Sequence, residues 1–188
     1  MYFYNELIHR VHTNNPVKIG LIGAGKFGVM FLSQVPTTPG IRVVAVADLN
    51  PSNAKLSCVS ARWEKELIDK TVFLDDAIFM IKKYELDVVI EATGDPKAGI
   101  YHALEAIHNG RHIVMVNVEA DVLAGAVLAK EARAAGVVYS MAYGDQPALT
   151  CELVEWARCI GFNVVAAGKG TKYLPVYHQS NPSTVWEH

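Results

Sequence analysis

Short, unbroken Val/Ile/Ala runs alternating with longer segments of helical period point to an α/β chain of Rossmann type: a doubly wound, mostly parallel sheet with helices on both faces. Three features carry that expectation. The apolar runs show no polar alternation, so each strand is covered on both sides. The helical patterns between them have lengths that suit right-handed βαβ crossovers. The first run ends in "GLIGAGKFG" (20–28), a glycine-rich turn between strand and helix.

Taken in order, residues 1–15 form a mixed N-terminal extension, and "VKIGLIG" (17–23) is the first strand. A helix follows from near Lys26, then a strand at "IRVVAVAD" (41–48) and a shorter one at "TVFL" (71–74). "DVVIEATG" (87–94) is the next strand. In "PKAGIYHALEAIHNG" (96–110), Ile100, Ala103, Leu104 and Ile107 line one helical face. Pro96 stands near its start and Gly110 just past its end, as helix-boundary chemistry prefers. "RHIVMVN" (111–117) and "GVVYSMA" (136–142) read as strands, and "FNVVAAG" (162–168) as the last one. Before it, "PALTCELVEWARCIG" (147–161) sets Leu149, Leu153, Trp156 and Ile160 on one stripe, with Cys151 a small core residue. The tail from Lys169 has no sustained period and is broken by Pro175 and Pro182.

Composition narrows the function classes. The chain has 188 residues, 51% hydrophobic and 19% charged, enough for one well-packed core. A net charge of −2 gives no footprint for nucleic acid or an anionic membrane surface. No apolar run approaches the roughly 20 residues of a membrane span. The N-terminus lacks the charged-then-apolar order of a signal peptide. Cys58, Cys151 and Cys159 make neither an even disulfide set nor a C-x-x-C pair, which suits a reducing, cytoplasmic setting. His102 and His108 lie six apart on one helix and share no face, so no metal site is expected.

The glycine turn has two parses. From Gly20 it reads G-x-x-x-x-G-K, the loop of a nucleoside-triphosphate site. That loop needs a hydroxyl after its lysine to ligate Mg²⁺, and Phe27 stands there. From Gly23 it reads G-x-G-x-x-G. Gly23 permits the tight turn, Gly25 leaves room for a pyrophosphate, and Gly28 lets helix pack on strand. The N–H groups and dipole of the helix opening at Lys26 favour phosphate. Ala24, Lys26 and Phe27 complete the turn. Asp48 ends the second strand, 20 residues beyond Gly28, where the fingerprint places an acid for the adenosine ribose. A carboxylate there accepts from a free 2′-hydroxyl and repels a 2′-phosphate, which favours NAD(H), with Lys55 within a turn or two. The alternative is a glycine turn needed only for packing.

Ligands of open α/β sheets lie outside the carboxyl ends of the strands. Thr93, Gly94 and Asp95 follow the first strand across the switch point and are candidates for the cofactor's middle or nicotinamide half; Asp95 is equally an N-cap. Asn117 is a candidate for the nicotinamide amide or a ribose, and Glu119 for catalysis or for complementing its helix dipole. Asp145 reads as a cap. Lys169 and Lys172 either bind an anion or protonate a carbonyl oxygen, or belong to a solvated basic loop.

The ordered string "VKIGLIGAGKFG", "VVIEATGDP", "RHIVMVNVEADVLAG", "YGDQPAL" and "VVAAGKGTK" resembles homoserine-dehydrogenase-like oxidoreductases over roughly residues 16 to 188. It is more similar to the branch with a C-terminal SAF-type domain, which includes deoxyxylulose-phosphate-reductoisomerase-like enzymes. The resemblance implies an NAD(P)-dependent oxidoreductase, with NADP in the reductoisomerase-like branch, acting on a small polar metabolite by hydride transfer. Homoserine dehydrogenases have Ala-Asn-Lys at the fifth strand end; here Asn117 is retained and Val118 takes the lysine position, so the substrate need not be homoserine. The expected organisation is an extension (1–15), a dinucleotide-binding domain (16–168) and the start of a truncated catalytic and dimerising region (169–188). A non-catalytic NAD(H)-binding sensor or regulatory module is the rival reading. The expected partners are a small-molecule substrate and, in the full-length protein, a second copy.

Overall fold

The computed structural model describes residues 3–143, 146–168, 181, 183 and 184. The chain divides into two compact units, Met1–Tyr143 and Gly144–His188. In the first unit the order is α1 (Phe3–His12), β1 (Val17–Ile22), α2 (Lys26–Gln34), β2 (Ile41–Ala47), α3 (Pro51–Ser60), α4 (Lys65–Asp69), β3 (Val72–Leu74) and α5 (Ala77–Lys83). Then come β4 (Val88–Glu91), α6 (Pro96–His108), β5 (His112–Met115), α7 (Val118–Ala134) and β6 (Tyr139–Met141). A single 3₁₀ turn, Val35–Thr37, follows α2. The second unit contains α8 (Gln146–Cys159).

The six strands form one sheet in the order β3-β2-β1-β4-β5-β6, every pair parallel. The order reverses between β1 and β4, the switch point where open α/β sheets hold ligands. Register aligns the carboxyl ends: Ile22 pairs with Ala47 on one side and Glu91 on the other, and Glu91 with Met115. The residues that follow these four ends therefore meet along one rim.

Both faces of the sheet are buried, which is why its strands read as unbroken apolar runs. Ile22, Ala47, Met80, Ile81, Val89, Ala103 and Leu128 belong to the core under α5, α6 and α7. Leu21, Val46, Leu32, Ala54, Cys58 and Trp63 belong to the core under α2, α3 and α4. Successive strand residues alternate between the two, except in β2, where the pairing with β1 skips Val44 and both Val44 and Ala45 join the first core. The Trp63 indole nitrogen donates to the Leu32 carbonyl oxygen at 2.7 Å, so its buried N–H is satisfied. Gly20 lies inside β1, where a Cβ would stand 2.7 Å from Leu86 Cδ1. It is a packing glycine, which disposes of the triphosphate parse.

Two expectations need correction. Residues 162–168, read as a strand from their apolar content, contain no strand. The α8 stripe is not a buried one: Leu153, Trp156 and Ile160 are exposed, and so is Cys151, which is no core residue. The N-terminal extension holds a helix, α1, whose Leu7 backbone abuts Gly40 at the entrance to β2.

Candidate cofactor site

The glycine turn is built by close approach of backbone. Gly23 has φ +92°, and a Cβ there would lie 2.7 Å from the Ala92 carbonyl oxygen. A Cβ on Gly28 would collide with the Gly23 carbonyl, so α2 packs against the turn only because residue 28 has no side chain. Gly25 is different. It is the N-cap of α2 in extended conformation, no side chain caps the helix, and a Cβ there would meet nothing within 4 Å. Packing explains the first and third glycines and leaves the second unexplained. A ligand that comes up to the backbone accounts for it, and the free N–H groups of α2 suit an anion.

Asp48 ties the second strand end to this turn. Its Oδ2 accepts from Ala24 N at 2.7 Å and its Oδ1 from Asn50 N at 2.8 Å. A carboxylate has about four acceptor positions, so both oxygens retain one for another donor. Phe27 and Lys26 lie on the first turn of α2, both exposed.

A cleft of about 730 Å³ opens at the switch point, lined among others by Gly23, Gly25, Asp48, Asp75, Thr93 and His102. Among the described residues its lining includes Asp48, Asp75 and Asp76 but no lysine or arginine.

Beyond the switch point the structure assembles a polar cluster that links Thr93, Asp95 and Asn117. Asp95 caps α6, its Oδ1 accepting from Ala98 N at 2.7 Å. Asn117 caps α7 through Ala120 N at 3.1 Å, and its Nδ2 donates to the Asp95 carbonyl at 2.8 Å. With 2% exposure, Asn117 braces the loop from below and does not face solvent. Gly94 turns that loop at φ +77° with open space beside it. Glu119 is exposed on the first turn of α7. Lys169, Lys172 and Asp145 lie outside the described residues.

Sequence reasoning passed over the centre of this cluster. Glu91, the last residue of β4, is completely buried. Its Oε1 accepts from the Thr93 hydroxyl at 2.6 Å and from Thr93 N at 3.3 Å, and lies 3.3 Å from His102 Nδ1. Its Oε2 has no partner among the described residues. The available signal was an acid inside "DVVIEATG", a strand covered on both faces. Nearby, the Tyr139 hydroxyl donates to Asp121 Oδ1 at 2.7 Å. Burial, then that carboxylate, then Glu91 hold the phenol far above its ordinary range.

The profile described as "Homoserine dehydrogenase, NAD binding domain" matches residues 20–141, and that described as "Oxidoreductase DRL, catalytic domain" matches 144–188. A homoserine dehydrogenase of Neisseria gonorrhoeae is 31% identical over 111 residues, covering 54% of this chain and 23% of that protein's length. The solved homoserine dehydrogenase of Thiobacillus denitrificans is similar in fold, with a TM-score of 0.56 at 24% identity over 67% of this chain and 29% of that one. So is the WlbA dehydrogenase of Bordetella pertussis, solved with NADH and UDP-GlcNAcA, with a TM-score of 0.55 at 21% identity over 78% of this chain and 43% of that one. With the parallel sheet, its switch-point cleft and the match over 20–141, the chain belongs to the NAD-binding domain family of homoserine-dehydrogenase-like oxidoreductases.

Proposed function

We propose that this domain binds NAD(H) in preference to NADP(H) and serves the cofactor half of an oxidoreductase acting on a small polar metabolite. The observation that carries the preference is the cleft wall: Asp48, Asp75 and Asp76, with no lysine or arginine among the described residues that line it. A 2′-phosphate placed there would meet carboxylates and no counter-charge, whereas a 2′-hydroxyl would find an acceptor in Asp48.

In this reading the Gly23, Ala24, Gly25, Lys26, Phe27 and Gly28 turn receives the pyrophosphate and Asp48 the adenosine ribose. Thr93, Gly94 and Asp95 border the nicotinamide half, with Asn117 bracing that border. The cofactor supplies or accepts the hydride; the protein supplies orientation and exclusion of water. Lys169, Lys172 and Glu119 are the proposed contributors from the substrate side, as anion ligands or proton donors. The chain covers under a third of the homoserine dehydrogenases it matches, so its substrate wall is proposed to come from a longer protein, cytoplasmic and oligomeric. Val118 at the family's lysine position favours a substrate other than homoserine.

Parallel titrations with NADH and NADPH, followed by nicotinamide fluorescence, test the reading. Tighter binding of NADH supports it. Equal affinity, or preference for NADPH, overturns the role given to the acidic wall.

A further inference from the structure

A helix that lies over a sheet ordinarily turns a polar face outward, and α7 does not. On its inner face Ala120, Gly125, Leu128 and Ala132 are buried, with α6, β5 and β6 as the neighbouring elements. The opposite face carries Val122, Leu123, Ala126 and Val127, all exposed, Val122 to 80%. A helix that is apolar all round is one that gets covered all round. Apolar side chains scattered singly over a surface mean little, but four on adjacent turns of one helix form a patch.

The charges that bound this patch indicate what covers it. Glu119 stands one turn before Val122 and Lys130 one turn after Val127, both exposed and both on the same stripe. Neither has a salt-bridge partner among the described residues. Reversed end to end about the midpoint between positions 124 and 125, the stripe maps onto itself: Val122 falls on Val127, Leu123 on Ala126 and Glu119 on Lys130. Its apolar positions are thus symmetric and its charges opposite. An isologous contact requires that pattern, because a two-fold axis sets residue i against j and j against i. Two α7 helices laid antiparallel bring Glu119 of each copy beside Lys130 of the other, with Arg133 a turn further on. A parallel pair would instead set Glu119 against Glu119 and Lys130 against Lys130. Leu123 opposite Ala126, large against small, suits the ridge-into-groove packing of helices.

We propose that the outer face of α7 is an association surface whose occupant is a second copy of this chain, docked antiparallel about a two-fold axis. The argument does not depend on the cofactor assignment. It gives Glu119, offered above to the substrate side, a counter-charge in Lys130 of the second copy. The seam from residue 119 to 130 runs roughly 17 Å along the helix. That is short beside the about 800 Å² each partner buries in a standard interface, so the chain should associate weakly.

Sedimentation velocity of the 188-residue chain at low salt, from about 10 µM to 1 mM, tests this. Wild type should show a monomer–dimer equilibrium and nothing larger, because an isologous contact closes on itself. E119K and K130E should each weaken dimerisation by about tenfold or more, since each reverses two symmetry-related pairs. The double reversal E119K/K130E restores opposite charges at both ends and should return to within about threefold of wild type. V127D sets a carboxylate against Val122 of the second copy and should abolish the dimer. All three positions are exposed in the single chain, so melting temperatures should shift by no more than about 4 °C, the scale of a changed charge on the helix dipole. A chain that stays monomeric throughout, a dimer indifferent to V127D, or a double reversal as weak as the single ones overturns the assignment of this face to a second copy.

Discussion

Gly25→Val separates binding from folding at the glycine turn. The structure places no atom within 4 Å of a Cβ at this position, and the backbone (φ −70°, ψ −161°) is extended, a conformation valine adopts freely. Replacing an N-cap glycine by a β-branched residue costs about 1 kcal/mol, and reduced freedom of the unfolded chain returns roughly 0.4–1 kcal/mol. The melting temperature should therefore shift by no more than about 4 °C. Binding is another matter. Two methyl groups would stand in the cleft against the open N–H groups of α2, displacing phosphate from donors worth roughly 1.5–3 kcal/mol each. Loss of two such contacts is about 3–6 kcal/mol, a weakening of at least a hundredfold. The assay is NADH fluorescence titration beside a thermal melt of the same sample. A folded Gly25→Val protein with wild-type affinity would refute the assignment of the turn. Gly28→Ala is the contrasting control: its Cβ meets the Gly23 carbonyl, so it should lower the melting temperature before binding is measured.

Asp48→Ser should weaken NADH and relatively improve NADPH by roughly 1–3 kcal/mol, the worth of one charge-assisted contact; an unchanged ratio of the two dissociation constants would remove Asp48 from the ribose site. Gly99→Ala should destabilise the fold, because the added carbon would lie 2.7 Å from Asn117 Nδ2 and 3.0 Å from Glu91 Oε2, both buried; a melt unchanged within 1–2 °C would contradict that packing. Burial pushes the Cys58 thiol from 9.0 up to about 11, so at pH 8 alkylation followed by mass spectrometry should mark the exposed Cys151 and Cys159 and spare Cys58 until the protein unfolds. The sign for stability follows: below pH 9 both states keep the Cys58 proton, and between 9 and 11 only the unfolded state releases it, so stability should fall across that window. Dehydrogenase turnover by the 188-residue chain should be little or none, since hydride transfer needs a substrate fixed about 3–3.5 Å from the reacting carbon; substantial turnover with a small hydroxy or keto metabolite would show a complete site here.

What can be decided along the chain is whatever depends on near neighbours. Unbroken runs such as "IRVVAVAD" announce strands covered on both faces, and all six strands of the sheet fall inside runs read that way. The Gly23–Gly25–Gly28 spacing, the acid at Asp48 and the cap at Asp95 are likewise local chemistry. Where the run alone was ambiguous the reading went astray. "FNVVAAG" has strand composition, but composition carries no pairing partner, and none of residues 162–168 is in a strand. A helical stripe at Leu153, Trp156 and Ile160 says that one face is apolar, not that anything covers it.

The site's interior depended on contacts between distant parts of the chain. Parallel pairing at the switch point sets Ile22 beside Glu91, and only then do the turn and the Thr93 loop become neighbours. Asp48 reaches Ala24 across 24 residues, and Glu91 meets His102 across a loop and two helical turns. His102 read as one of several scattered histidines because its partner is a buried acid on another element. Hydrophobic periodicity records which faces are buried, not which polar groups find each other once they are. That is why the architecture and its glycine turn were legible in one dimension, while the buried carboxylate and its imidazole emerged only in three.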